Sequence, residues 1–258
     1  MTARHSALVV FALLCSASLC PAQPGWTWQN PFPQGHRLQD MFFPDGQTGY
    51  AVGRFGSIIA TTDGGAHWQA LSSGTHAQLN GVAFSDAATG TVVGDGGTIL
   101  RTTDRGRSWL PQPCPVTLNL QCVSFLDGDR GLCVGDRGIL LRTTDGGATW
   151  SADTLDTWNQ LHAVTLVADD RAYVAGLSAL YRSDDGGASW EALGGTGNAG
   201  CLDIDFTSKD IGTVVGQSGF IARTTDGGRT WQDQDAGVRV VIEGVSFCDS
   251  LQDRKSVG

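Results

Sequence analysis

The chain is poor in charge, in tyrosine and in long apolar runs, and each shortage closes off a class of function. Charged residues make up only 17% of its 258 residues, too few for a solvated disordered chain. With 36 glycines against 8 prolines, the composition is that of a folded, turn-rich protein. Basic residues are not in excess either. The formal net charge of −9 leaves no stripe able to neutralise phosphates, so neither nucleic acid nor an anionic membrane is an expected partner. No CxxC pair or Cys/His cluster offers a metal site, and no cofactor is expected.

The longest apolar run, from Ala7 to Leu19, follows Met1-Thr2-Ala3-Arg4-His5 and precedes Cys20-Pro21-Ala22-Gln23. A charged start, a short apolar stretch and a small-residue end make residues 1–22 an export leader cleaved after Ala22. A membrane span needs roughly 20 apolar residues, more than this run holds; a lipid anchor at Cys20 is a second reading, against which the preceding Leu19 is larger than the small residue such sites usually carry. The protein is therefore expected to be secreted, periplasmic or at the cell surface, with no transmembrane segment. Cys15 and Cys20 leave with the leader, and Cys114, Cys122, Cys133, Cys201 and Cys248 remain. Export permits disulfides, and Cys122 with Cys133, expected on neighbouring strands of one hairpin, is the pair to test.

What the sequence does contain is a repeat. The octets Thr61-Thr-Asp-Gly-Gly-Ala-His-Trp68, Thr102-Thr-Asp-Arg-Gly-Arg-Ser-Trp109, Thr143-Thr-Asp-Gly-Gly-Ala-Thr-Trp150, Ser183-Asp-Asp-Gly-Gly-Ala-Ser-Trp190 and Thr224-Thr-Asp-Gly-Gly-Arg-Thr-Trp231 share the pattern (Ser/Thr)-x-Asp-x-Gly-x-x-Trp. Their aspartates, Asp63, Asp104, Asp145, Asp185 and Asp226, lie 41, 41, 40 and 41 residues apart. Each unit adds an alternating run such as Leu79-Asn-Gly-Val-Ala-Phe84, a short strand such as Thr91-Val-Val-Gly94, and a third strand leading into the octet. Four short strands per unit, joined by Gly/Asp turns at a period near 40, describe a β-propeller blade. In the octet, Asp accepts backbone N–H groups of its own turn, Gly supplies a positive φ, and Trp folds its ring onto the hairpin or the next blade. Five identical acids therefore belong to the scaffold rather than to a metal or catalytic array.

These octets resemble the Asp-box, or bacterial neuraminidase repeat, superfamily. The run Val-Gly-x-x-Gly followed by Arg-Thr-Thr-Asp-Gly-Gly-x-x-Trp, at 134–150 and 215–231, is similar in more detail to the photosystem II stability/assembly factor-like branch. The resemblance covers about residues 28–249 and implies an all-β propeller of four-stranded antiparallel blades. The sequence supplies about five full blades and part of a sixth, and the resemblance implies about seven in a full-length relative. Residues 23–252 form this domain; Asp253-Arg-Lys-Ser-Val-Gly258 breaks the pattern and reads as a non-native tail. Trp28 is in phase with the octet tryptophans, so residues 26–30 are expected to be a fourth strand without its blade. This scaffold hosts hydrolases, receptors and assembly factors alike, and the branch's name is not itself an activity.

With the first strands at the axis, the second-to-third-strand turns share one face with the blade-to-blade connections. That face carries the variable residues, and Arg37, Arg54, Phe55, Gln78, Asn119, Arg137, Trp158, Gln160 and Arg239 are its candidate contacts for a protein or glycan partner. Arg101, Arg142, Arg182 and Arg223 recur just before their octets and read as scaffold or surface residues. The rival reading is a glycoside hydrolase, since sialidases and some glucanases carry such boxes. The chain has only 3 tyrosines and no Arg-Ile-Pro signature before the first box. Its unrepeated carboxylates Asp40, Asp153, Asp156 and Asp203 keep that reading open. A third is a structural domain of a larger cell-surface protein. The expectation is a non-catalytic binding or assembly module.

Overall fold

The computed structural model describes residues 35–167, 170–194 and 200–247. They form five four-stranded antiparallel sheets, each built from strands consecutive in sequence. The first strands, Leu38–Phe42, Leu79–Phe84, Leu120–Phe125, Leu161–Val167 and Cys201–Phe206, adjoin one another from blade to blade. This is the expected incomplete propeller. The expected fourth strand at 26–30, the leader, the tail and Cys248 lie outside the described residues.

The hydrophobic cores lie between blades, not within them. Tyr50, Val52 and Ile58 of blade one pack with Leu79, Val82, Phe84 and Trp109 of blade two. Trp150 joins Ala83, Val93 and Ile99 of blade two, and Trp231 joins Ala163, Tyr173 and Leu180 of blade four. The octet rings of blades two to five thus seal the seam to the preceding blade. Tyr50 and Tyr173 are almost wholly buried and send their hydroxyls across the seam to Arg105 O at 2.7 Å and Lys209 O at 3.2 Å. The second strands also begin on glycine in four blades, because the ring of Phe43, Phe84, Phe125 or Phe206 lies flat against that backbone.

The octet turn is held by two side chains rather than one. In blade three, the Thr143 hydroxyl donates to Asp145 Oδ1 at 2.8 Å while accepting the N–H groups of Asp145 at 3.3 Å and Gly147 at 2.9 Å. Asp145 in turn accepts the backbone N–H and the hydroxyl of Thr149, at 2.9 and 2.6 Å. The same bonds recur at Asp104, Asp185 and Asp226, and at Asp63 with a ring nitrogen of His67 in place of the hydroxyl, at 2.7 Å. Both residues after each aspartate take a positive φ, including Arg105 at 63° in the octet without a first glycine. Ser or Thr at the head of the octet is therefore required for its oxygen, a reason the sequence pattern does not state. Arg101 Nε and Arg182 Nη1 donate to the Gly146 and Gly227 carbonyls of the next blade's octet at 2.9 and 3.1 Å, which accounts for these two of the periodic arginines.

Two expectations are corrected. Residues 242–247, the sixth copy of the first strand, join no sheet ladder, because no second strand follows among the described residues to pair with them. Cys122 and Cys133 do lie on neighbouring strands, but Cys122 is opposite Val134 and Cys133 opposite Val123. That one-residue offset sends the two thiols to opposite faces of the sheet, and both are free.

Replacing Trp150 with Ala is expected to cost about 3–5 kcal/mol, and Thr143→Val about 1–3 kcal/mol by stranding two N–H groups. Urea denaturation measures both, with the exposed neighbour substitution Thr144→Val as the control that should leave stability unchanged.

Candidate partner-binding face

The face opposite the octet turns is built from two backbone strings hydrogen-bonded to each other. The N–H groups of Arg54, Asp95, Asp136, Leu177 and Gln217, each just past a second strand, donate to the carbonyls of Arg37, Gln78, Asn119, Gln160 and Gly200, each just before a first strand, at 2.9–3.1 Å. The glycine ending each second strand lets these carbonyls approach, since a Cβ there would collide with them. The residue at the crown of each turn is left-handed: Phe55 at φ 57°, Gly96 at 66°, Arg137 at 58°, Ser178 at 54° and Ser218 at 57°. Fold geometry alone imposes that conformation, whichever side chain occupies it.

The candidate residues divide into two groups. Gln78, Asn119 and Gln160 are absorbed into a network between blades. Gln78 Nε2 donates to Asn80 Oδ1 at 2.9 Å, and Asn80 Nδ2 donates to Asp95 Oδ1 and to Leu120 O, both at 2.9 Å. Asp136 accepts from Asn119 Nδ2 at 3.1 Å, Gln121 Nε2 at 3.2 Å and Gln160 Nε2 at 2.8 Å. These amides position the rim and have few donors left to offer a partner. The other group stands in solvent. Trp158 is 86% exposed and Phe55 64% exposed, with the ring of His36 edge-on to Phe55 at 4.9 Å. Arg54, Arg137 and Arg239 are exposed, and Arg37 reaches across to Glu243 at 3.1 Å in an exposed pair worth little on its own.

Inward of the rim, three carboxylates hold consecutive first strands in register, a role the sequence does not announce. Asp40 accepts its own neighbour's N–H, from Met41 at 2.8 Å, and that of Val82 in the next blade at 2.9 Å. Asp203 does the same with Ile204 and Val245, and Asp205 with Phe206 and Phe247, at 2.8–2.9 Å. A first strand is a sheet edge with unpaired N–H groups, and these clamps satisfy them. Burial outweighs the N–H bonds and pushes Asp40 up to about 6 and Asp203 up to about 7, the latter helped by the neighbouring charges of Asp205 and Asp40; Asp205 is raised by burial too. Burial also pushes the Cys122 thiol, which donates to Val164 O at 3.8 Å, up to about 12. The other two unrepeated carboxylates, Asp153 and Asp156, lie exposed on and after the outer strand of blade three. Asn80 and Gln121 could have been read as site residues from their polar side chains on an otherwise apolar first strand.

The family model of the photosynthesis system II assembly factor YCF48 matches residues 22–110 and 67–197, together more than half of the chain. No curated protein matches it. Among solved structures, YCF48 from Cyanidioschyzon merolae is 20% identical with a TM-score of 0.55, over 81% of this chain and 88% of that one. An ancestral GH74 enzyme is 16% identical with a TM-score of 0.67, over 83% of this chain but 33% of that one. The WD40 repeats of RRP9 are 12% identical with a TM-score of 0.66, over 80% and 66%. At these identities the structural likenesses establish the fold alone. Among the described residues no helix is long and apolar enough to cross a membrane.

The two sets of acids set opposite pH limits. The clamps are raised above the unfolded carboxylate value of about 3.9, so they bind extra protons when folded and stability falls as pH rises from about 4 through 7. The octet aspartates are held down to about 2 by their turn hydrogen bonds, so their contribution is lost as pH falls from about 4 to 2. The temperature of thermal unfolding should therefore peak on the acid side of neutrality, and Asp203→Asn should flatten the decline between about pH 4 and 7.

Proposed function

Because the chain belongs to the photosynthesis system II assembly factor YCF48 family, we propose that it is an exported assembly module holding a protein partner on the rim around Phe55 and Trp158. The observation that carries this reading is Phe55. A bulky aromatic at φ 57° incurs a backbone strain of about 1–2 kcal/mol, where blade two places Gly96. Its ring nevertheless stands largely in solvent, with the edge of His36 against it, so the strain gains little packing within this chain. The same left-handed φ recurs at every crown, so what singles out Phe55 is an exposed aromatic ring at a position the fold fills equally with glycine or serine, and aromatic anchors dominate protein interfaces.

The exposed arginines add donors for a partner's carboxylates or carbonyls, while the saturated amides of Gln78, Asn119 and Gln160 keep the rim rigid. A protein partner follows from the family's description as an assembly factor, and a glycan would be the alternative ligand for exposed rings. The likeness to GH74 enzymes is one of fold and brings no reaction with it.

Phe55→Gly separates contact from scaffold: it should stabilise the fold by about 1 kcal/mol while weakening partner binding by more than about 1 kcal/mol. A photo-crosslinking residue at position 55 or 158, compared with one at Arg107 on the octet face, should give a discrete protein adduct in the source organism's extracts. Adducts from position 107 alone, or retention on immobilised glycans instead, would contradict the reading. N-terminal sequencing of the exported protein should begin at Gln23.

A further inference from the structure

The periodic arginines point to a second site, on the face away from the rim and independent of it. Arg101 and Arg182 each grip the carbonyl of the glycine that follows the octet aspartate in the next blade. The corresponding pair at the seam of blades three and four is Arg142 and Gly186. These two do not bond; instead both line a cavity of about 140 Å³. Arg130 and Asp170 span the same seam as an ion pair in their place.

The lining has a clear division. Leu126, Leu132 and Leu166 form an apolar floor, and Arg142 and Thr144 stand at the polar side. The acids at the cavity are already satisfied: Asp170 is engaged by Arg130, and Asp185 accepts from Ser183 Oγ, Ser189 Oγ and the N–H groups of Ala188 and Ser189. The Arg142 guanidinium has no hydrogen-bond or ion-pair partner among the described residues. It also borders a neighbouring cavity of about 350 Å³ shared with Thr144.

We propose that this seam binds a small aliphatic monocarboxylate, with the carboxylate on the Arg142 guanidinium and the tail on the three leucines. A planar guanidinium matches a carboxylate with paired hydrogen bonds. The volume is well below the roughly 300–1,000 Å³ of pockets that take drug-sized ligands, so the tail is limited to a few carbons. A single uncommitted cation favours one negative charge over the higher charge of a phosphate.

Isovalerate titrated calorimetrically into the whole chain should bind, with isovaleramide (no charge) and acetate (no tail) each about tenfold weaker. Arg142→Met, which keeps the aliphatic stem and breaks no scaffold bond, should keep the unfolding temperature and weaken isovalerate about tenfold. Absence of isovalerate binding, equal affinity for the amide, or undiminished binding by Arg142→Met would each overturn the site. Should that variant fail to fold, the acid-against-amide comparison on the unaltered chain decides the matter by itself.

Discussion

A four-stranded blade has two apolar faces and no means of covering either by itself. Everything else in this molecule answers to that constraint. The second strands of blades one to three are buried along their whole length, and the residues that bury them come from the blades on either side. Hydrophobic burial is non-directional, so it brings sheets together without fixing how far one slides against the next. The directional bonds do that work at three radii. Carboxylate clamps act at the axis, tyrosine hydroxyls and arginines act near the octet turns, and side-chain amides act at the rim. Each kind includes bonds that cross a seam, and the seam is accordingly the unit of stability.

The sequence made the fold legible because the octet is local. Its aspartate, glycine and tryptophan act within one turn and over one seam, and the same demand returns at every repeat. The places of Arg54, Phe55 and Arg137 were legible for a similar reason, since they fall at fixed offsets from the glycines of the turn, whereas Trp158 lies in a connection between blades. What stayed hidden crosses from blade to blade without repeating. Asp40, Asp203 and Asp205 clamp N–H groups 42 residues away, yet the equivalent positions in blades two and three hold Gly81 and Cys122. A device used at only some seams leaves no periodic trace.

The amides have a second role that the sequence does not show. Gln78, Asn119 and Gln160 are polar, surface-facing and variable, which are the marks of a contact residue. Their donors instead converge on Asp136 or pass through Asn80, a partner choice that depends on the distance between blades and cannot be read along one strand. The cysteine pair failed on register: two residues can share a hairpin and still face away from each other when their positions differ by one. Arg142 shares its spacing with Arg101 and Arg182, whose bonds belong to the scaffold, and only the geometry of its own seam leaves it without that bond.

The crowns of the rim turns have a consequence for how such a protein diversifies. Carbonyl contacts and flanking glycines fix the backbone there before any side chain is chosen, and Phe55, Gly96, Arg137, Ser178 and Ser218 occupy the same left-handed conformation with very different chemistry. Folding thus places little demand on the identity of these five residues, apart from a modest strain. They amount to interchangeable pegs around a common hub, through which a lineage can rewrite what the ring recognises one blade at a time while the seams beneath stay as they are.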